Sequence, residues 1–185
     1  DSCNSLVKID RCTITDNQCD FILGNTDGEG KGGGVCILTS NKATVTKSMI
    51  LRNTIATSFT GTIVLKDAKG GGLYGREFSD TNLFTVSECI LANNSATSYG
   101  GAAGETAGGG GLYIDSVTIN QCLVSGNATH GIYAGSFGGG LLCTNSKILN
   151  CSLLNNLSDY TGEYSGADSA MGGGIFVEHF SWSSG

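Results

Sequence analysis

Three consecutive glycines followed by two or three apolar residues recur five times along the chain. They are Gly32-Gly33-Gly34 before Val35, Gly70-Gly71-Gly72 before Leu73, Gly109-Gly110-Gly111 before Leu112, Gly138-Gly139-Gly140 before Leu141, and Gly172-Gly173-Gly174 before Ile175. Self-similarity at a spacing of a few tens of residues marks a stacked repeat, whose unit cannot bury its apolar face alone. The chain is therefore expected to be a solenoid.

A second element recurs between the triplets: a short alternating run, an apolar pair beside a cysteine, and a closing asparagine. The copies run from Ile9 through Cys12 to Asn17, Val45 through Met49 to Asn53, Val86 through Cys89 to Asn94, Ile119 through Cys122 to Asn127, and Ile148 through Cys151 to Asn156. Aligned this way, Cys12, Met49, Cys89, Cys122 and Cys151 form one column. Asn17, Asn53, Asn94, Asn127 and Asn156 form another, and Ile9, Val45, Val86, Ile119 and Ile148 a third.

The apolar runs are short, alternate at period two and sit between Gly, Asn and Ser clusters, which is strand chemistry. No segment carries the amphipathic face of a helical repeat. Two or three short strands per repeat, joined by turns, predict an all-β, right-handed parallel β-helix of about four to five coils, each 29–40 residues long. Residues 1–185 then form one domain. Equivalent residues lie about 4.8 Å apart in successive coils, so the cysteine column becomes an interior ladder and the asparagine column a corner ladder. Asn suits such a corner because it tolerates a left-handed backbone and its amide can bond its counterparts above and below.

Composition agrees. The 185 residues contain no proline, where average usage would give about nine. Central strands cannot spare an amide donor. From asparagine corner to next triplet, the segments 54–69, 95–108, 128–137 and 157–171 differ in length and read as loops on one side of the solenoid, the usual place for partners.

The five triplets, together with Leu51 to Asn53, Leu91 to Asn94, Val124 to Asn127 and Leu154 to Asn156, resemble the right-handed parallel β-helix superfamily. The closest likeness is to the polymorphic outer-membrane proteins and other autotransporter adhesin passengers. In that family's motif Ala follows Gly-Gly and Phe precedes x-x-Asn; here a third Gly and Ile, Leu or Val stand in those places. The resemblance implies a stiff extracellular or cell-surface module, structural or adhesive.

The chain starts partway through a coil and stops after the fifth triplet's strand, which suggests a fragment of a longer solenoid or end-to-end assembly with other copies. Charge is uneven: nine basic and seven acidic residues up to Arg76, then one basic and nine acidic from Glu77. That asymmetry favours head-to-tail stacking. Partners expected are other copies, or surface glycans or proteins reached through the variable loops. A net charge of −6 disfavours nucleic acid, and no run of about 20 apolar residues provides a transmembrane segment.

The eight cysteines read as structural. Cys12, Cys89, Cys122 and Cys151 pack as small hydrophobes, while a Cys3–Cys36 or Cys3–Cys19 bridge would clip the first coil. Without a Cys-x-x-Cys and with only His130 and His179, zinc is not expected. Loops at Asp27 to Glu29 and Asp159 to Asp168, with Glu163 between, are weak Ca²⁺ candidates; no other cofactor is indicated. Asn-x-Ser/Thr sequons start at Asn93, Asn127, Asn150 and Asn156, with Asn93, Asn127 and Asn156 the glycosylation candidates.

Many β-helices act on polysaccharides, and such chemistry needs carboxylates converging on one groove or a calcium-binding acid cluster. Glu88, Asp115 and Glu178 fall in different columns, so no catalytic residues are assigned and a carbohydrate-active enzyme is the alternative. A second alternative is an ice- or glycan-binding solenoid, suggested by Thr15, Thr44, Thr46, Thr85 and Thr118.

Overall fold

The computed structural model describes residues 7–23, 28–39, 42–59, 66–77, 84–99, 106–162 and 170–178. Within them the chain winds through five coils, and strands from successive coils pair in parallel to make five sheets of five strands. The first sheet stacks Val7–Asp10, Ala43–Thr46, Phe84–Ser87, Val117–Asn120 and Lys147–Leu149; the second stacks Thr13–Thr15, Met49–Leu51, Ile90–Ala92, Leu123–Ser125 and Ser152–Leu154. The third holds Gln18–Leu23, Thr54–Phe59, Ser95–Tyr99, Ala128–Ile132 and Leu157–Thr161. The fourth holds Gly28–Lys31, Lys66–Lys69, Thr106–Gly108, Gly135–Phe137 and Ala170–Met171, and the fifth Val35–Thr39, Leu73–Glu77, Leu112–Asp115, Leu141–Thr144 and Ile175–Val177. Successive corner asparagines are 36, 41, 33 and 29 residues apart, so one coil slightly exceeds the expected length.

Each coil thus carries five strands rather than two or three. The segments read as loops hold the third and fourth sheets. Variation in coil length falls at two connections: third to fourth sheet (24–27, 60–65, 100–105, 133–134, 162–169) and fifth to first (40–42, 78–83, 116, 145–146). The insertions therefore sit at two corners of the coil, not one.

Other corners are fixed by backbone conformation. Between the first and second sheets Arg11, Lys47, Glu88, Gln121 and Asn150 all have φ between 49° and 54°. Between the second and third, Asp16, Arg52, Asn93, Gly126 and Asn155 repeat the device, with φ from 52° to 63°. A left-handed residue with a side chain costs roughly 1–2 kcal/mol, which the stacked hydrogen bonds of each corner offset: Lys47 N–H donates to Ser87 O, and Arg52 N–H to Ala92 O.

The glycine triplet makes the third fixed corner, and each of its members is needed for a different reason. The first takes positive φ, from 61° to 72° across the five copies. The second lies so near the chain across the coil that a Cβ on Gly71 would overlap the carbonyl oxygens of Ser95 and Gly110. The third faces the corner asparagine: a Cβ on Gly72 would lie 2.8 Å from Asn94 Nδ2.

This backbone approach pinches the coil into two lobes. Sheets one, two and five enclose the larger, filled by Val45, Ile50, Leu73, Phe84, Leu91, Leu112, Ile119 and their neighbours. Each such side chain contributes about 1.5–3 kcal/mol by leaving water. Sheets three and four enclose the smaller, where Ile55, Ala68 and Ala96 pack together with Cys19. Its filling turns polar along the axis. In the fourth coil the Ser136 hydroxyl lies 2.8 Å from Thr129 Oγ1 and 3.0 Å from Ser158 Oγ of the fifth.

Candidate functional site

The asparagine ladder is the most regular side-chain array in the molecule. Asn53 Nδ2 donates to Ile14 O of the preceding coil at 3.0 Å and to Asn94 Oδ1 of the following coil at 3.1 Å. The Asn53 backbone N–H donates to the same Oδ1 at 2.9 Å. Asn94 repeats the pattern on Ile50 O and Asn127, and Asn127 on Leu91 O and Asn156. Asn17 donates to Asn53 Oδ1 at 2.8 Å, and Asn156 Nδ2 reaches Val124 O at 3.0 Å. Both amide protons and both lone pairs of each central asparagine are used, which lets Asn53, Asn94 and Asn127 sit fully buried. Every asparagine-to-asparagine bond runs from the donor to an acceptor in the next coil toward the C-terminus, while the second amide proton is given to a carbonyl of the preceding coil.

The cysteine column needs one correction. Residues in register with Met49 are Thr13, Ile90 and Leu123, and Met49 is 40% exposed. Ser48 takes the interior place beside Cys12, Cys89, Cys122 and Cys151, and it is buried. The reason is a hydrogen bond that methionine cannot make. Cys12 N–H donates to Ser48 Oγ at 3.0 Å, Cys89 N–H to Cys122 Sγ at 3.5 Å, and Cys122 N–H to Cys151 Sγ at 3.4 Å. Each hydroxyl or thiol donates in turn to the carbonyl two residues back, as Ser48 does to Thr46 O and Cys89 to Ser87 O. The neighbouring Cys89, and then burial, push the Cys122 thiol well above its usual range. Cys12, Cys19, Cys36, Cys89, Cys122, Cys143 and Cys151 are free thiols; Cys3 lies outside the described residues.

Among the glycosylation candidates, Asn93 is exposed at a left-handed corner. Asn127 and Asn156 commit their amides to the ladder, so a glycan there would break it. Thr44, Thr85 and Thr118 stack in register between Lys8 and Lys147, whereas Thr46 lies on the neighbouring outward column with Asp10 and Ser87, and Thr15 belongs to the second sheet. Of the Ca²⁺ candidates, Glu29 is taken by Lys31 at 2.6 Å and Lys69 at 2.8 Å, and Asp159 lies 3.8 Å from His130. Asp27, Glu163 and Asp168 lie outside the described residues. Among the described residues no three His, Cys, Asp or Glu side chains group to hold a metal, and no helix is long and apolar enough to cross a membrane.

A groove was not legible in the sequence. Where the glycine corner folds inward, the outer faces of the fourth and fifth sheets meet in a channel along the axis. On the fourth sheet the column reads Lys31, Lys69, Gly108, Phe137, Met171; on the fifth it reads Cys36, Tyr74, Tyr113, Leu142, Phe176. Members pair one coil apart. Lys31 Nζ lies 5.6 Å from the Tyr74 ring centre and Lys69 Nζ 5.5 Å from that of Tyr113, both within cation–π range. Tyr74 and Tyr113 stack at 5.1 Å, and Phe137 meets Phe176 at 5.0 Å.

Lys69 is 15% exposed and bonded to Glu29 and to Asp67 at 2.7 Å. Burial alone would lower its pKa, but the two carboxylates outweigh that and raise it above the usual lysine range. Asp67 also accepts the Thr106 N–H at 2.9 Å. Partial burial pushes the Glu29 carboxyl up, yet its lysine bonds prevail and hold it at about 2. The Tyr113 hydroxyl is pushed up to about 12, chiefly by burial. Beside these groups opens a cavity of about 260 Å³, bounded by Asp67, Lys69 and Thr106 on one side and Phe137, Phe176 and Glu178 on the other, with Tyr113 and Leu142 between.

Five parallel sheets, coil-on-coil register and the glycine and asparagine ladders define a β-solenoid. The family model described as the right handed beta helix region matches residues 1–184. The chain belongs to that family and is a right-handed parallel β-helix. No curated protein and no solved structure matches it.

Proposed function

We propose that the chain is a non-catalytic structural or adhesive module of a cell-surface passenger or head-to-tail filament, working outside the cell like the autotransporter passengers it resembles. The observation that carries this reading is the direction of the asparagine ladder. Each coil offers Asn acceptors on one side and Asn donors on the other, so any further coil, from the same chain or another copy, extends the array in one orientation. Surface glycans or proteins would be met by the two inserted corners.

Three carboxylates are unsuited to the acid's part in glycoside hydrolysis. A glycosidase acid needs a raised pKa, whereas Asp10 is lowered by the Thr46 hydroxyl, Asp16 by the bidentate Arg52 guanidinium, and Glu29 by its two lysines. Electron microscopy of purified protein at low concentration tests the assembly. Unbranched filaments with an axial repeat of roughly 4.8 Å per coil are expected; isolated short rods would remove the filament and leave the passenger.

One observation favours a second reading, a carbohydrate-active enzyme: Asp67 and Glu178 line one cavity beside Tyr113. Incubation with neutral and uronate polysaccharides, read by new reducing ends and unsaturated products, decides it. Turnover lost in both Asp67→Asn and Glu178→Gln would replace the structural reading.

A further inference from the structure

The groove columns carry a periodic device with one member missing. Lys31 covers Tyr74 and Lys69 covers Tyr113, each from one coil earlier. The next place on the lysine column is Gly108, and it faces Leu142, whose Cδ1 would lie 2.8 Å from a Cβ at that glycine. The chain has no lysine of its own to supply: after Arg76 its single basic residue is Lys147, on the first sheet. Beyond the vacant place stand Phe137, Phe176 and Glu178. Lys69 does not repel a cation there strongly, because Glu29 and Asp67 offset its charge. Three carboxylates, Glu29, Asp67 and Glu178, stand against two lysines, and among the described residues the Glu178 carboxylate has no hydrogen-bond or ion-pair partner.

We propose that the cavity over Gly108 receives a primary alkylammonium group, set where a third lysine of the column would place its own, against the Phe137 and Phe176 rings with Glu178 as counter-ion. Ring faces and a carboxylate together are what such a cation recognises. The cavity is a little below the ~300–1,000 Å³ of drug-sized pockets, which suits one side chain or a small amine. The group would come from a lysine of a partner polypeptide or from a free amine.

The test is an NMR and calorimetric titration of the whole chain at low salt, with n-butylammonium chloride, a capped lysine-centred alanine pentapeptide, n-butanol and a neutral oligosaccharide as probes. Saturable shifts of the Phe137, Phe176 and Tyr113 ring signals are expected with both cations. Binding of n-butanol should be roughly tenfold weaker. Glu178→Gln should weaken the cations by about the same factor. Gly108→Lys, which fills the place from within by displacing only the Leu142 side-chain tip, should abolish binding without lowering the Tm. Tighter binding of the pentapeptide than of butylammonium assigns the source to a partner's lysine, and equal binding assigns it to free amines. The proposal falls if no ring signal saturates, if n-butanol binds as well, if Glu178→Gln changes nothing, or if only the oligosaccharide moves the rings.

Discussion

Gly72 exists to make room for Asn94: the Asn94 amide nitrogen stands 2.8 Å from where a Gly72 Cβ would be, and the same pairing joins Gly34 to Asn53, Gly111 to Asn127 and Gly140 to Asn156. Two sequence elements that looked independent are the two sides of one contact. The amide ladder can be buried because the opposite corner has no side chains.

Replacing Asn94 by alanine should strip the acceptor from the Asn53 N–H and Nδ2 and the donors from Ile50 O and Asn127 Oδ1. At about 1–3 kcal/mol per buried polar group left unpaired, the loss should exceed ~3 kcal/mol in denaturant unfolding. Asn94→Asp should be worse, because it buries a carboxylate with an oxygen set against the acceptors Ile50 O and Asn127 Oδ1. Asn17→Ala should cost less, since Asn17 is exposed. Equal costs at Asn17 and Asn94 would contradict the ladder.

Alanine at Gly71 would press on two backbone carbonyls, whereas alanine at Gly174 meets nothing within 4 Å. Gly71→Ala should unfold the chain or leave it aggregated, and Gly174→Ala should change stability by no more than about 0.5 kcal/mol. Circular dichroism melts of the two variants make the comparison.

At the left-handed corners, Lys47→Gly and Gln121→Gly should each stabilise by roughly 0.5–1 kcal/mol, because glycine escapes the penalty that a side chain bears at φ near 50°. A fall in the urea midpoint for both would show that side-chain contacts, not backbone strain, govern those places.

Thiol labelling should follow the ladder. In the native protein Cys12 and Cys36 are exposed and should react, Cys36 the more slowly because burial of its sulfur raises its pKa. Cys89, Cys122 and Cys143 should react only on unfolding. Cys122→Ser should fold, since Ser48 already holds that place, and Cys122→Met should not.

Glu29 predicts an acid limit. Its carboxyl is held at about 2 against an ordinary 4.5, so the ionised form stabilises the folded chain fully above 4.5. That contribution fades as pH falls from about 4.5 toward 2. The Tm should drop across this window, and Glu29→Gln should flatten part of the drop. With Glu29 two-fifths exposed, the effect should stay at or below ~1 kcal/mol.

How much of this was legible in the chain depends on what each residue contacts. Asn17, Asn53, Asn94, Asn127 and Asn156 were readable because the ladder demands the same side chain in every coil. Met49 was misplaced because it was matched by apolarity; counting back from Asn53 instead puts Ser48 on the column, and its hydroxyl does the work of a thiol. The third and fourth sheets passed for loops because their lobe is thin and filled by Ala68, Ala96, Thr129 and Ser136, which give no apolar alternation. The groove was invisible because Lys31 and Tyr74, or Phe137 and Phe176, meet only through the register of neighbouring coils.

The pinch at the glycine corner also bears on how such a chain can grow and vary. Three of the five bends in each turn are locked, two by left-handed residues and one by backbone touching backbone. The remaining two act as adjustable joints, and they are where one turn differs in length from the next. A turn can be lengthened at those joints while its locked bends keep their register with the neighbours, so diversity accumulates along two lines on the outside while the asparagine and glycine ladders repeat inside.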